Sequence, residues 1–228
     1  MQISGLQKLT LLDFPGQVAC IVFTGGCNFN CSFCHNPDLV HNTVPSVEDS
    51  ELFSFLEKRG KLLDGVVITG GEPTLHSSLP ELISRIKSKG YLVKLDTNGT
   101  NPSMLKILFS EGLVDYVAMD IKGPFEDYSK IACREVEVVP IKESIELIIK
   151  SGIDHEFRTT VVPGLHNVSK VGLMASSIAG ARKYFLQVFK KETELLDPSF
   201  KEIKGFTKEE LDSMLSKAKE FVSADLRV

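Results

Sequence analysis

The 228-residue sequence predicts an α/β fold on three observations. Short apolar runs alternate with longer amphipathic segments six times over. The short runs are rich in Val and Ile and apolar on both faces, which favours parallel pairing through right-handed crossovers. Clusters of Cys, Gly, Asp and Lys fall where those runs end, and α/β folds gather their sites at strand carboxyl ends.

The strand-like runs cover residues 17–23 (QVACIVF), 65–69 (GVVIT), 91–97 (YLVKLDT), 114–122 (VDYVAMDIK), 155–162 (HEFRTTVV) and 184–189 (YFLQVF). Helix-like segments begin at Ser46, Ser77, Asn101, Ile141 and Asn167, several opening on Ser or Asn as an N-cap and closing at Gly. A final helix begins near Thr207, and residues 123–140 form the longest connection without a pattern. Six units fall short of the eight of a complete (β/α) barrel, and periodicity does not say whether the sheet closes. With no linker, short repeat or low-complexity run, residues 1–228 read as one domain, its core over about 15–190 and a helical extension over about 205–225.

Composition narrows the function. With 26 basic and 30 acidic side chains the formal charge is −4, so no broad positive field exists to hold nucleic acid. No apolar segment approaches the ~20 residues that span a bilayer, and the N-terminus carries no secretory pattern. The expectation is a cytoplasmic protein with no membrane partner, in which clustered cysteines bind metal or do chemistry.

Three of the five cysteines, Cys27, Cys31 and Cys34, lie within eight positions of a Gly- and Asn-rich loop. Spacings of four and three bring the thiolates to one side if the loop winds helically. Iron–sulfur clusters normally take four cysteines. A cluster with three leaves one iron open, as a catalytic metal keeps an open position. The alternative is a structural zinc with Cys20, Cys133 or His35 as fourth ligand, although zinc sites usually pair one CxxC with another.

The run CNFNCSFC, a CxxxCxxC with an aromatic residue before the last cysteine, resembles the cluster-binding signature of the radical S-adenosylmethionine (SAM) superfamily. The continuation into His35 and Asn36 and the preceding LQKLTLLDFPGQVACIVFTGG are similar to the glycyl-radical-enzyme activating proteins, especially the short activases of anaerobic ribonucleoside-triphosphate reductase. The resemblance implies a partial, open (β/α)6 barrel of mostly parallel strands. It also implies a 4Fe-4S cluster on Cys27, Cys31 and Cys34, S-adenosyl-L-methionine as cofactor, a glycyl radical enzyme as protein substrate, and an electron donor such as flavodoxin or ferredoxin.

Further residues follow from the resemblance. Gly70, Gly71 and Glu72 correspond to a segment that binds the amino group of the methionyl moiety; taken alone, the motif reads as an ordinary β-to-α turn. Asp120 and Lys122 fall where the activases contact the cofactor's ribose and carboxylate region, and otherwise would pair with each other. Asp96 and Thr97 are assigned to a monovalent cation or to the cofactor. Phe33 is placed against the adenine, and His35 beside it as a backbone contact. Gln187 is placed at the adenine edge, where related activases often carry a His-containing motif.

Arg158, in a Val-rich strand, needs a carboxylate partner, either the ligand's or a neighbouring Asp. Cys20 reads as a core thiol and Cys133 has no evident partner. His41, His76, His155 and His166 read as surface or hydrogen-bonded residues, with no nucleophile to serve. The other family with a short chain, CxxxCxxC and GGEP is 7-carboxy-7-deazaguanine synthase, in which an acidic residue generally follows the last cysteine. A zinc-stabilised interaction module is the noncatalytic alternative.

Overall fold

The computed structural model describes residues 2–192 and 194–227. Eight strands form one sheet in the order of the chain: β1 (Ile3–Thr10), β2 (Ala19–Thr24), β3 (Gly65–Gly70), β4 (Leu92–Thr97), β5 (Tyr116–Asp120), β6 (Asp154–Val161), β7 (Tyr184–Val188) and β8 (Ala224–Arg227). β1 runs antiparallel to β2 and every other pair is parallel. The sheet is open, consistent with a partial barrel.

The six expected strands are β2 to β7, and the two edge strands go beyond the sequence expectation. β1 turns three successive residues, Gln7 to Leu9, towards solvent, so it shows no clean alternation. The last helix, Lys208–Lys219, falls within the expected helical extension, and β8, Ala224–Arg227, then runs alongside β7. Four residues are too few for a period of two to register.

The helices are α1 (Pro37–His41), α2 (Asp49–Arg59), α3 (Leu79–Lys87), α4 (Pro102–Ser110), α5 (Tyr128–Ala132), α6 (Val138–Lys150), α7 (Val168–Ser177) and α8 (Lys208–Lys219). Three caps act as expected. Asn101 accepts from the Met104 amide at 3.1 Å, Asn167 from Lys170 at 3.0 Å, and Thr207 forms a reciprocal box with Glu210. Ser46 and Ser77 are not caps: α2 and α3 begin later, behind Glu48 and Ser78, without a side-chain bond. α6 begins at Val138, ahead of Ile141, because Pro140 is tolerated in a first turn. The unpatterned segment 123–140 contains α5.

Alternation along the strands separates two environments. Cys20, Val22, Val66, Ile68, Val93, Leu95, Val117, Met119 and Phe157 belong to the main core shared with the helices. Phe14, Ala19, Ile21 and Val67 form a second, smaller cluster with Tyr116 on the opposite face, the inside of the curl. The expectation of strands apolar on both faces holds for β2 and β3 only. From β4 onward the inner face carries Lys94, Asp96, Asp120, Glu156, Arg158, Gln187 and Arg227 among Tyr116, Ala118 and Phe185, a largely polar lining that leads up to the strand carboxyl ends.

Candidate functional site

The loop leaving β2 carries the three thiols. It is irregular rather than helical. The one tight turn between its cysteines is the Cys34 amide donating to the Cys31 carbonyl at 2.9 Å. Phe29 and Phe33 are buried and root the loop in the main core.

Backbone bonds from four directions hold the rest. Gly26 N–H donates to Leu39 C=O at 2.7 Å, and Glu72 N–H to Gly26 C=O at 2.8 Å. Asn30 N–H donates to Ala132 C=O at 2.8 Å. Leu196 and Asp197, beyond β7, donate their amides to the carbonyls of Cys34 and Ser32 at 3.0 and 2.9 Å. A triangle of side chains adds a fifth tie: Asn98 donates to Asn28 at 2.8 Å, Asn28 to Thr100 at 2.8 Å, and Thr100 to Asn98 at 2.7 Å.

These restraints place Cys27, Cys31 and Cys34 on the wall of a single cavity of about 270 Å3. Gly70, Gly71 and Glu72 from the end of β3 line it, as do Asp96 and Thr97 from β4, Asp120 and Lys122 from β5, Arg158 from β6 and Gln187 from β7. Phe33 and His35 complete the expected set, and the His35 ring lies 5.9 Å from that of Phe189. Phe29, Asn36, Val40, Thr69, Asn98 and Thr160 also line the cavity and were not singled out in the sequence. Two carried a signal: Asn98 lies within the DTNG run, and Thr160 shares its strand face with Arg158.

The two glycines are required by contact. A Cβ on Gly71 would overlap the carbonyl oxygen of Gly26, and Gly70, at φ +119, packs against the backbone of Thr24. The end of β3 and the cysteine loop therefore touch backbone to backbone.

Glu72 is buried, and its carboxylate faces the protein. Oε1 accepts from the Thr74 amide (3.1 Å), the Thr74 hydroxyl (2.5 Å) and the Thr97 hydroxyl (2.8 Å), while Oε2 accepts from the Asn98 amide at 2.6 Å. Burial raises its pKa, opposed by these hydrogen bonds. In this geometry the side chain joins the loops after β3 and β4, while the half-buried Gly70 and Gly71 line the cavity beside it.

Charge is concentrated on the opposite wall. Arg158 donates through Nε to Asp120 Oδ1 at 2.9 Å and through Nη1 to Asp96 Oδ2 at 3.1 Å. Lys122 donates to Asp120 Oδ2 at 3.0 Å, and Lys94 pairs with Asp96 Oδ1. Of the alternatives left open for Arg158, the neighbouring aspartates are its partners here. Burial alone would raise both aspartates. Arg158 with Lys122 outweighs it at Asp120, and Arg158 with Lys94 at Asp96, so both sit below the ordinary carboxylate value. Burial would lower Lys122, but Asp120 and the nearby Cys31 hold it above the ordinary lysine value.

Burial also pushes the Cys27 thiol up to about 11 and Cys31 to about 12, so metal binding must displace their protons. Burial holds His35 below its usual value. Among the described residues, no three His, Cys, Asp or Glu side chains are grouped closely enough to chelate a single ion. Three thiols spread around one cavity suit a body larger than one ion, and this donor set fits an iron–sulfur cluster.

The remaining residues stay outside the cavity. Cys20 is a core thiol. Cys133 is exposed, its sulfur 3.4 Å from the Ser32 hydroxyl. His41 ends α1. His76 donates through Nε2 to Gly25 C=O at 3.0 Å, and His155 bonds Ile153 C=O through Nδ1 at 2.9 Å. His166 donates through Nε2 to Lys122 C=O at 2.9 Å and accepts the Val162 amide at Nδ1, steadying the backbone of a cavity residue.

Comparison with known proteins gives the family. The profile of the Radical SAM superfamily matches residues 21–170. A Methanocaldococcus jannaschii protein named "Putative glycyl-radical enzyme activating enzyme" is 32% identical over 96% of this chain and 92% of its own. The pyruvate formate-lyase-activating enzyme of Clostridium pasteurianum is 24% identical over 97% of this chain and 98% of its own. The crystal structure of Streptococcus suis SuiB bound to S-adenosylmethionine superposes on 91% of this chain and 52% of its own with a TM-score of 0.66 at 12% identity, a likeness of fold.

Proposed function

Because this chain belongs to the radical SAM superfamily, we propose that it is an activase that generates a glycyl radical on a partner enzyme, most like the anaerobic ribonucleoside-triphosphate reductase. The observation that carries this reading is the meeting, in one cavity, of three thiols, the Gly70–Gly71 backbone and the Asp120–Lys122–Arg158 array. When bound, a 4Fe-4S cluster on Cys27, Cys31 and Cys34 would supply reductive cleavage of S-adenosyl-L-methionine to a 5′-deoxyadenosyl radical.

The chain's own residues provide orientation and charge. Carbonyls at Gly70 and Gly71 offer acceptors to the methionyl ammonium, and Lys122, with Arg158 behind it, offers positive charge to the carboxylate. Asp120 steers Lys122 and presents an acceptor towards the ribose, while Phe33, His35 and Gln187 form the wall for the adenine. Phe29, Phe33 and Val40 keep the thiol side apolar, which limits water around a reactive radical. Among the described residues no helix is long and apolar enough to cross a membrane. The proposed electron donor is a small redox protein such as flavodoxin or ferredoxin.

Anaerobic reconstitution with iron and sulfide tests the reading. A brown protein that, once reduced, converts S-adenosylmethionine to 5′-deoxyadenosine and methionine, and places a glycyl radical signal on an added glycyl radical enzyme, is expected. A colourless protein that retains zinc would overturn it. 5′-Deoxyadenosine formed without a radical on any such enzyme would remove the activase assignment and keep the superfamily chemistry.

A further inference from the structure

The resemblance to the activases assigns Asp96 and Thr97 to a monovalent cation or to the cofactor, and the geometry around Asp96 does not fit the cation. All four carboxylate oxygens of Asp96 and Asp120 already hold a protein cation. Asp96 Oδ1 pairs with Lys94 and Oδ2 with Arg158, and Asp120 Oδ1 pairs with Arg158 and Oδ2 with Lys122. The Thr97 hydroxyl is committed to Glu72, to which it donates.

Lys94 is the unusual member. It precedes Asp96 by two residues on the inner face of β4, so its ammonium rises beneath the carboxylate from within the sheet's curl. Its side chain is 1% exposed, and its nitrogen lies 6.0 Å from the centre of the Tyr116 ring on β5. The other charges around it are accounted for. Glu156 on β6 takes two bonds from Arg227 on β8, both 2.8 Å, and a third from the Tyr116 hydroxyl at 2.9 Å. The cavity and the inner face below it thus hold four cations, Lys94, Lys122, Arg158 and Arg227, against four carboxylates, Glu72, Asp96, Asp120 and Glu156. A site whose aspartate oxygens are all paired within the protein gains little from another cation, and a buried ammonium without Asp96 would be costly.

We propose that Lys94 is a built-in cation: its ammonium supplies the positive charge beneath Asp96 that a bound monovalent metal ion would otherwise supply, making the enzyme independent of such ions. Lys94 is a positioning residue, acting through Asp96 and Arg158 on the ligand-facing charges. Its catalytic meaning rests on the proposed function, but its electrostatic part does not.

The test separates the two. Thermal unfolding of the cluster-free chain is followed across potassium and sodium series, with choline holding the ionic strength constant. Wild type is expected to show no saturable shift, and Lys94→Met a saturable rise in Tm with potassium or sodium. In the reconstituted proteins, S-adenosylmethionine affinity should vary less than about twofold with the cation for wild type and recover at least about tenfold for Lys94→Met. A saturable response of wild type would overturn the proposal, as would a folded Lys94→Met that either matches wild type without added cation or is rescued by none. Should Lys94→Met not fold, thallium(I) NMR of wild type decides. Broadening that saturates and is reversed by potassium would overturn the proposal, and its absence supports it.

Discussion

Asn98 donates its backbone amide to Glu72 at 2.6 Å, bonding the loop after β4 to the loop after β3 inside the protein. The carboxylate of a motif assigned to ligand binding is thereby committed to architecture, with Thr74 and Thr97 as its other donors.

Replacing Glu72 should therefore register first in stability. Glu72→Ala strands buried donors on Thr74, Thr97 and Asn98, at about 1–3 kcal/mol for each left unsatisfied. The cluster-free variant is expected to lose several degrees of Tm or fail to accumulate. An unchanged Tm with weakened S-adenosylmethionine binding would show instead that the carboxylate serves the ligand alone.

Arg158 controls acid stability. Asp96 and Asp120 are depressed below their ordinary value of 3.8, so their stabilisation is present above that value and is lost as pH falls through the folded-state values. Arg158→Met removes a guanidinium shared by both and should cost about 3–5 kcal/mol at neutral pH. The share of acid loss that these two aspartates contribute should also be smaller than in wild type, because their folded-state values rise towards the unfolded one. Urea unfolding of the cluster-free chain between neutral pH and the acid limit measures both effects.

The cysteines should divide cleanly. Serine at Cys27, Cys31 or Cys34 is expected to abolish the brown colour and bound iron after reconstitution. Cys133→Ser, at the exposed end of α5, and Cys20→Ala, in the core, should retain the iron of wild type. Iron and sulfide analysis of the five variants checks this, and iron lost only with Cys133 would relocate the ligand set.

Gly71→Ala tests the contact between β3 and the cysteine loop. Its methyl would overlap the Gly26 carbonyl oxygen, so the loop must shift, at about 1–3 kcal/mol and with poor cluster loading. Gly205→Ala, which meets nothing within 4 Å, is the matched control and should behave as wild type.

Much of the site was legible because its residues sit in contiguous runs at strand ends. Cys27 to His35, Gly70 to Glu72, Asp96 with Thr97, and Asp120 to Lys122 each fall where a strand stops, and parallel register brings those stops to one rim. Pairing was not legible. Asp120 and Arg158 face each other only through the β5–β6 register, 38 residues apart in sequence. Lys94 lies in a run that reads as a buried apolar strand, and only the curl of the sheet shows that its inner face is charged. β1 and β8 escaped because an edge strand with an exposed stretch and a strand of four residues leave no period to follow.

The amides of Leu196 and Asp197 that close on Cys34 and Ser32 have a consequence for the order of assembly. The ribosome makes the sulfur-bearing loop early and its last braces near the end, so a growing chain carries that loop half-secured. The loop accordingly reaches its full set of backbone restraints only after the segment beyond β7 has docked on it.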